Sequence, residues 1–489
     1  MGIITRQAIK STIYSYLGAL LGFLTVWFMN RLWLTPEQNG LLNVIISISL
    51  VTSSLSNLGF GGVTTRLFPQ FRDSNTRHGG FLFYPLMFTA LGSLLFLIVF
   101  SLVKDYYIVR NTADASLLNE HIHFLLPLTF FLGIFNILDI YARSIYLSTA
   151  GILVKEIALR VVILLAAVAY HFGYISFDTF VLLYFSSFCA IALAMAFILY
   201  QKGEWHWSRP KVKLSPELKR EMRDVALFSV ITGLSGMLIS SIDKILVNDM
   251  LGLGPAGIFS VATYFGSMIQ IPARSVIRIS STIISESWKN NDMKNISQVY
   301  HKSALNQFII GLYLLLGLWV TLDSLIALMP ADYAEARYVI LFMGLGYLID
   351  LATGANGVII ATSKHYRFDT YFMILLVLFT VFTNLTLIPI YGITGAGIAS
   401  CLTFALFNAT RLIFIYIKFR IQPFSKAFLY IAIFGLFSAG VAHYIPQMEN
   451  RYIDILLRGG TFSLFFGVLV IWSGVSPDIN AVMRTIRKR

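Results

Sequence analysis

Three cations stand inside apolar runs of this chain, and they define the chemistry to be explained. Arg160, Lys244 and Arg411 each lie in a stretch of roughly 20 hydrophobic residues, long enough to cross a bilayer, where a charge is expensive and faces a cavity or a partner. Arg160 is about nine residues into its run, roughly 13 Å at 1.5 Å per residue, too deep for a headgroup anchor. Glu156, one turn earlier, is the alternative: a structural partner that would simply hold it. Arg31, beside Asn30, and Lys244, beside Asp243, lie near the outer ends of two other runs, and for Lys244 a local pair with Asp243 is the competing reading. Arg66, Arg274 and Arg278 lie at inner ends. They read either as the cytosolic mouth of a cavity or as anchors whose long stems reach back to the inner headgroups. Two tiers of cations, Arg31 and Lys244 on one side and Arg66, Arg274 and Arg278 on the other, suit an anionic headgroup caught on one face and released on the opposite one. Asp139 with Arg143 is an acid–base pair one helical turn apart, and Asp350 is a similarly placed acid without the arginine. These suit a proton or sodium relay, or a gate that opens when an ion pair breaks; the alternative is a pair that neutralises itself between helices.

Other chemistries fail on context. Gly252-Leu-Gly-Pro-Ala-Gly257 matches a dinucleotide fingerprint in its letters, but it follows a membrane run rather than a strand and contains a proline. No Walker-type Gly-Lys-Ser/Thr occurs. Cys189 and Cys401 both sit in apolar segments and form neither a metal cluster nor a disulfide framework. His121 and His123, at the start of an outer helix, read as interfacial rather than metal-binding, so no cofactor is expected.

The elements that must position these residues follow from composition. Of 489 residues, 57% are hydrophobic and only 12% charged, and the mean hydropathy is +0.74, whereas soluble domains carry about 25% charge. The longest polar stretch, 201–224, is a connecting loop, which leaves no room for a soluble catalytic domain. Apolar runs of about 20 residues place about fourteen spans. The first, from about residue 12, is too long for a signal peptide and reads as a retained helix. With the N-terminus inside, 28 of the 37 Lys and Arg fall in inner segments and 6, among them Arg451 and Arg458 at the outer rim, in outer ones. The +13 net charge is therefore a topology signal, with both termini cytosolic and no nucleic-acid partner.

A pattern also repeats with a shift of about 215 residues. Asn30-Arg31 followed by Gly40-Leu-Leu-Asn-Val44 is answered by Asp243-Lys244 and Gly257-Ile-Phe-Ser-Val261. Asp139 before Leu147-Ser-Thr149 is answered by Asp350 before Ile360-Ala-Thr362, and Phe172-Gly173 by Tyr391-Gly392. Six helices per copy is an even number, so the copies share one orientation, as in transporters built from parallel repeats, with the site expected in the cavity between them. The expected fold is an all-α polytopic membrane protein of two parallel six-helix repeats plus two extra C-terminal helices. Its parts are an N-terminal lobe (1–200), a basic cytosolic linker (201–224), a C-terminal lobe (225–420), and two extra spans with a basic tail (421–489). In the linker, Ser215-Pro216-Glu217 reads as a cap and first-turn proline that start a short helix.

Arg31-Leu-Trp-Leu34-Thr-Pro-Glu37-Gln-Asn-Gly40, Ser56-Asn-Leu-Gly-Phe60 with Arg66, Asp243-Lys-Ile-Leu-Val247, and Leu387-Ile-Pro-Ile-Tyr-Gly392-Ile-Thr-Gly-Ala-Gly397-Ile-Ala-Ser400 resemble the polysaccharide-transporter, or lipid-linked oligosaccharide flippase, family over nearly the whole chain. The resemblance implies two six-helix lobes around a basic cavity and no enzyme activity. It implies export of undecaprenyl-pyrophosphate-linked glycan across the bacterial inner membrane for O-antigen, capsule or exopolysaccharide, with membrane lipids and the polysaccharide polymerase machinery as partners. The related peptidoglycan-precursor flippase carries an Arg-Asp pair in its first helix. Here the similar place reads Asn30-Arg31, so the base carries over and the acid does not, which counts against a lipid II role. Coupling to protons, to sodium or to the membrane potential alone stays open. So do two rivals: a multidrug or cation antiporter of the same superfamily, and a membrane glycosyltransferase or polymerase, although no Asp-x-Asp occurs. The charge asymmetry is directly testable: reporter fusions after Arg223 and after Arg489 should both read cytosolic, and periplasmic activity at either point overturns the orientation.

Overall fold

A computed structural model describes residues 14, 17–18, 20–72, 77–110, 115–205, 215–271 and 273–476. The basic N-terminal residues, most of the linker and the tail from 477, on which part of the orientation reading rests, lie outside the described residues. Those described are helical, with no strand among them. The chain forms two compact units, 1–257 and 258–489.

In the first unit, α1 (Pro36–Ser56) starts at a capping box. Thr35 Oγ1 accepts from the Gln38 N–H at 3.3 Å, and the Gln38 side chain accepts from the Thr35 N–H at 3.1 Å. A turn at Leu58 and Gly59, both with positive φ, leads into α2 (Phe60–Leu67). The remaining helices are α3 (Phe83–Arg110), α4 (Ala115–His121), α5 (Leu125–Ser144), α6 (Ser148–Ile152), α7 (Leu159–His171), α8 (Phe177–Gln201) and α9 (Pro216–Leu251). Helices α1 and α5 form the centre: 56% and 50% of their spanning windows are buried, against 28% for α3. Ser215 caps α9 as its sequence predicts, accepting from the Leu218 N–H at 3.1 Å. The helix it starts is not short, however, but runs unbroken for 36 residues. Nothing between Pro216 and Leu251 breaks the ladder, so the linker helix and the following span are one element.

Gly252 ends α9 with φ 96° and ψ 179°, a conformation suited to glycine. The chain then enters α10 (Leu253–Ser267), whose first turn lies against α1. A Cβ on Gly40 would lie 1.9 Å from the Leu253 carbonyl oxygen, and one on Gly257 2.0 Å from that of Pro36. Each glycine thus meets the residue one turn before the other. The contact is reciprocal, between segments matched in the sequence repeat. The glycines of the false dinucleotide motif therefore serve a turn and a close helix crossing.

The second unit continues with α11 (Ala273–Lys289), α12 (Met293–Ala327), α13 (Ala336–Ala352), α14 (Asn356–Thr362), α15 (Arg367–Phe419), α16 (Lys426–His443) and α17 (Arg451–Ser473). At 53 residues, α15 would measure about 80 Å if straight, well beyond the ~30 Å bilayer core. It folds back at Gly392 (φ 58°, ψ −141°), and the Thr383 and Thr403 hydroxyls of its two halves stand 3.4 Å apart. It is two passes joined at the predicted Tyr391-Gly392 break. Among the described residues nine helices are long and apolar enough to cross a bilayer, and the bent pair Ala331–Ala352 and Asn356–Thr362 supplies a tenth. The protein is an all-α polytopic membrane protein.

The last helix, with Ser476 just after it, is fastened to α12 between Asn306 and Ser324. Ser324 donates to Asp454 at 2.6 Å, Tyr313 and Ser463 hydroxyls lie 2.9 Å apart, and Ser476 donates to Asn306 at 3.0 Å. Arg458 is not the outer-rim anchor expected from its position. It is 6% exposed, pairs with Asp454 at 3.1 Å and donates to the Ile445 carbonyl at 2.8 Å, while the Met448 N–H also reaches Asp454. An acid one turn before it draws it inward. Removing one partner of a buried, hydrogen-bonded pair costs about 3–5 kcal/mol. Arg458→Ala should therefore lower the thermal unfolding midpoint of the purified protein markedly, while Arg451→Ala shifts it little; equal effects would refute the clamp.

Candidate functional site

Two of the chemistry-bearing residues of the first unit, Arg31 and Glu156, sit where its helices depart from regular geometry. Two π-helical segments occur there, Met29–Trp33 and Leu153–Ala158, a form that appears mostly as local bulges and frequently at functional sites. Arg31 lies in the first, its guanidinium carbon 5.9 Å from the Trp27 ring centroid, and the Asn30 side chain donates to the Val26 carbonyl at 2.7 Å. Glu156 lies in the second. Arg160 follows one turn on, donating to it at 2.7 Å, with each side chain 26% exposed. The two segments lie at opposite ends of α7, roughly 20 Å apart at 1.5 Å per residue: the second leads into its start, and its last residue, His171, stacks 5.3 Å from Trp33, ring to ring, where α7 packs on Met29–Trp33. A Cβ on Gly18 would lie 2.6 Å from that of Glu156, so only glycine lets the first span approach the second π segment this closely.

Asp139 and Arg143 form the ion pair their spacing predicts, at 2.9 Å, with Asp139 the more buried. A Cβ on Gly151 would stand 1.8 Å from Asp139 Oδ1, so the carboxylate fills the space a side chain would take. Arg66 is exposed in the last turn of α2, and Asp243 and Lys244 are half-buried on α9. Arg31 and Lys244, expected from opposite lobes, both fall in the unit 1–257. The side chains of Arg274 and Arg278 lie outside the described residues.

Asp350 occupies a different environment in the second unit. Its carboxylate accepts from Gln270 Nε2 at 3.2 Å and from Asn408 Nδ2 at 3.1 Å. Asn408 Oδ1 in turn accepts from Thr353 at 2.7 Å and from Asn356 at 2.8 Å. Around this half-buried carboxylate, two amides take the place of the arginine that its counterpart has. Arg411 pairs with Asp369 at 2.5 Å across the two passes of α15, its guanidinium carbon lying 4.0 Å from the Phe407 ring centroid. Its Nε is buried and has no hydrogen-bond partner among the described residues. The rule that singled out Arg160 applies equally to Arg411, but the amides around Asp350 carry no charge to mark them in an apolar run. No group of three His, Cys, Asp or Glu that could hold a metal occurs among the described residues.

Residues 4–279 match the sequence family described as "Polysaccharide biosynthesis protein", more than half of the chain. The chain belongs to this family. No curated protein sequence matches it. Its fold is shared with solved membrane exporters. A structure described as "Lipid II flippase MurJ, inward closed conformation" aligns with a TM-score of 0.74 at 14% identity, covering 94% of this chain and 99% of that one. An inward-facing multidrug resistance MATE family transporter of the MOP superfamily aligns at 0.66 and 13% identity, covering 86% and 98%. At such identities the likeness concerns the fold, and the sequence family carries the link to polysaccharide.

The amide network around Asp350 has a measurable stability. Asn408→Leu strips a donor from the half-buried Asp350 carboxylate and the acceptor from buried Thr353 and Asn356, and should cost about 1–3 kcal/mol, read as a lower thermal unfolding midpoint. Asn43→Leu, whose amide bonds only to Asn39 one turn away among the described residues, should cost less. The opposite ranking would mean that Asp350 does not depend on Asn408.

Proposed function

We propose that this protein flips a polyprenyl-pyrophosphate-linked oligosaccharide from the cytosolic to the periplasmic leaflet of the bacterial inner membrane by alternating access, supplying surface polysaccharide synthesis. It is a transporter rather than an enzyme, with both termini cytosolic and the polymerase machinery acting on its product. The observation that carries this reading is Arg160. An arginine inside a membrane run, one turn from its acid and still a quarter exposed, is built to exchange that acid for a better anion. Its planar fork has five N–H donors, and among the described residues one of them bonds Glu156. A pyrophosphate can take the others in bidentate fashion. Arg31, at the far end of α7, supplies a second cation in the same unit, and Lys244 on α9 and Arg66 at the inner end of α2 extend the basic path there.

The membrane potential favours the same direction. A pyrophosphate diester carries about two negative charges, and each gains roughly 2.3 kcal/mol per 100 mV on moving outward against an inside-negative potential. The Asp139–Arg143 pair, Asp350 and Asp243 are the groups through which protons or sodium would add to that drive. The multidrug exporters share the fold, but membership of a polysaccharide family favours the glycolipid.

Arg160 and Glu156 can be told apart by their failures. Each charge-assisted bond to the pyrophosphate contributes about 1.5–3 kcal/mol, roughly ten- to a hundredfold in affinity. Arg160→Ala should block surface glycan and accumulate lipid-linked oligosaccharide on the cytosolic leaflet, and Arg160→Lys should restore part of the export because charge returns without the fork. Glu156→Gln, which frees Arg160, should keep export. If both Arg160→Ala and Glu156→Gln leave folded protein and normal surface glycan, the pyrophosphate assignment is wrong and the pair is structural.

A further inference from the structure

A pyrophosphate that takes Arg160 leaves Glu156 without its cation. In this structure the two side chains satisfy each other at 2.7 Å, each 26% exposed. Glu156 has little room to follow the guanidinium. It belongs to the π segment Leu153–Ala158, and the first span closes on its backbone: a Cβ on Gly18 would stand 2.6 Å from the Glu156 Cβ and 2.8 Å from its carbonyl oxygen. Among the described residues no second cation is placed to replace Arg160. Lys155 is next in the chain, but neighbours on a helix do not face each other, and its charge acts on Asp139. Arg143 is already paired with Asp139 at 2.9 Å. The other titratable groups of α7, Tyr170 and His171, lie roughly 15 Å beyond Arg160 at 1.5 Å per residue. Arg31 of the first span is at that same far end, and Tyr14 is the other titratable group described there. Helix α8, packed on the π segment, has one charged residue, Asp178 in its first turn, and its Tyr184, Cys189 and Tyr200 are not cations.

An ionised carboxylate stripped of its cation in a low-dielectric setting is costly, and it takes up a proton instead. An incoming anion adds to the pressure, because like charges close together favour the neutral acid. We propose that capture of the pyrophosphate by Arg160 puts a proton on Glu156, and that this proton leaves when the cargo does and the ion pair closes again. No covalent bond to carbon or phosphorus is made or broken. The proton comes from water where the cargo enters and returns to water where the cargo leaves. The proposal rests on the flippase reading for the anion, and it places the proton linkage in the binding pair itself rather than in Asp139, which keeps its own arginine. Beside Arg160, Glu156 is favoured as the anion; with Arg160 engaged elsewhere, it is favoured as the acid. Cargo affinity is therefore greater at lower pH. It falls by up to about tenfold per pH unit across the window in which the paired acid is ionised and the stranded one protonated, and is level on either side.

Calorimetry on the purified full-length protein tests this, with a farnesyl pyrophosphate diester of N-acetylglucosamine as the probe, since the phosphates of a diester stay ionised near neutral pH. Titrated in buffers of different ionisation enthalpy, the wild-type protein should take up about one proton per probe bound and should bind more weakly as the pH rises. Glu156→Gln, which cannot take the proton, should bind with no uptake and with an affinity that is level with pH. Glu156→Ala gives the same readout if the amide variant does not fold. Asp178→Asn, on the helix packed against the same segment, should leave the uptake as in the wild type. Binding by the wild type without proton uptake overturns the proposal, and so does equal uptake by the Glu156 variants; in either case the pyrophosphate reading stands. A probe that does not bind the wild type at all overturns the pyrophosphate reading itself, and the proton linkage falls with it.

Discussion

A charge within the hydrocarbon must have a partner at hand, and this chain meets that demand mainly within single helices. Asp139–Arg143, Glu156–Arg160 and Asp454–Arg458 are each an acid followed one turn later by an arginine, at 2.9, 2.7 and 3.1 Å. The order is the favourable one, because the acid lies toward the positive end of the helix dipole and the base toward the negative end. A pair carried on one helix survives when that helix moves against its neighbours. Charges can therefore stay inside the membrane through a conformational cycle without being stranded. What separates the three pairs is their surroundings. Asp454–Arg458 is sealed by Ser324 and by the backbone at Ile445 and Met448, and works as a fastening. Glu156–Arg160 retains partial exposure on a π segment, and Asp139–Arg143 leaves its arginine 55% exposed. Sealing makes a clamp, whereas exposure leaves an arginine within reach of other groups.

The legible and illegible parts of this molecule divide on the same principle. Spans could be read because apolar run length is set by bilayer thickness, and the break at Gly392 because a glycine beside a proline-bearing run has few other uses. Ion pairs one turn apart could be read because helical spacing fixes them before any tertiary contact. Partners distant in sequence could not: Asp350 is held by Gln270, 80 residues earlier, and by Asn408, 58 residues later, and Asp454 by Ser324, 130 residues earlier. Uncharged amides and hydroxyls do not stand out in an apolar run. Arg458 was misjudged because its charge and position near a helix start suggested a rim, although Asp454 was in view. The unbroken α9 was missed because its polar first nine residues and the apolar run after them suggested two elements.

Backbone irregularity is the other half of the design. The two π segments displace Arg31 and Glu156 from regular helical register, and Gly18 brings the first span close to the second of them. The glycines at 40, 59, 62 and 257 bring backbones into contact where side chains would otherwise keep them apart. These features cost helical regularity and, at Gly59, the freedom to carry any other residue. In a membrane, where apolar side chains gain little by preferring one another over lipid, close backbone approach is one of the few ways to hold helices together. It is also the way most easily undone.

The two C-terminal helices show what the chain does when movement is not wanted. Only 22% of the spanning window of each is buried, so they lie at the periphery facing lipid. Yet bonds at Ser324, Tyr313 and Asn306 tie α17 and the residue Ser476 after it to α12, rings of Tyr313, Phe462 and Phe466 stack between them, and α16 packs on α12 through Phe428 against Phe308. Hydroxyl and amide bonds spread over several turns, together with a sealed ion pair, resist sliding as well as separation. A loosely held flap would need only one end fixed. The hairpin is therefore a rigid extension of α12: whatever motion α12 makes, these helices make with it, and any groove they form with α12 keeps its shape while the rest of the protein changes around it.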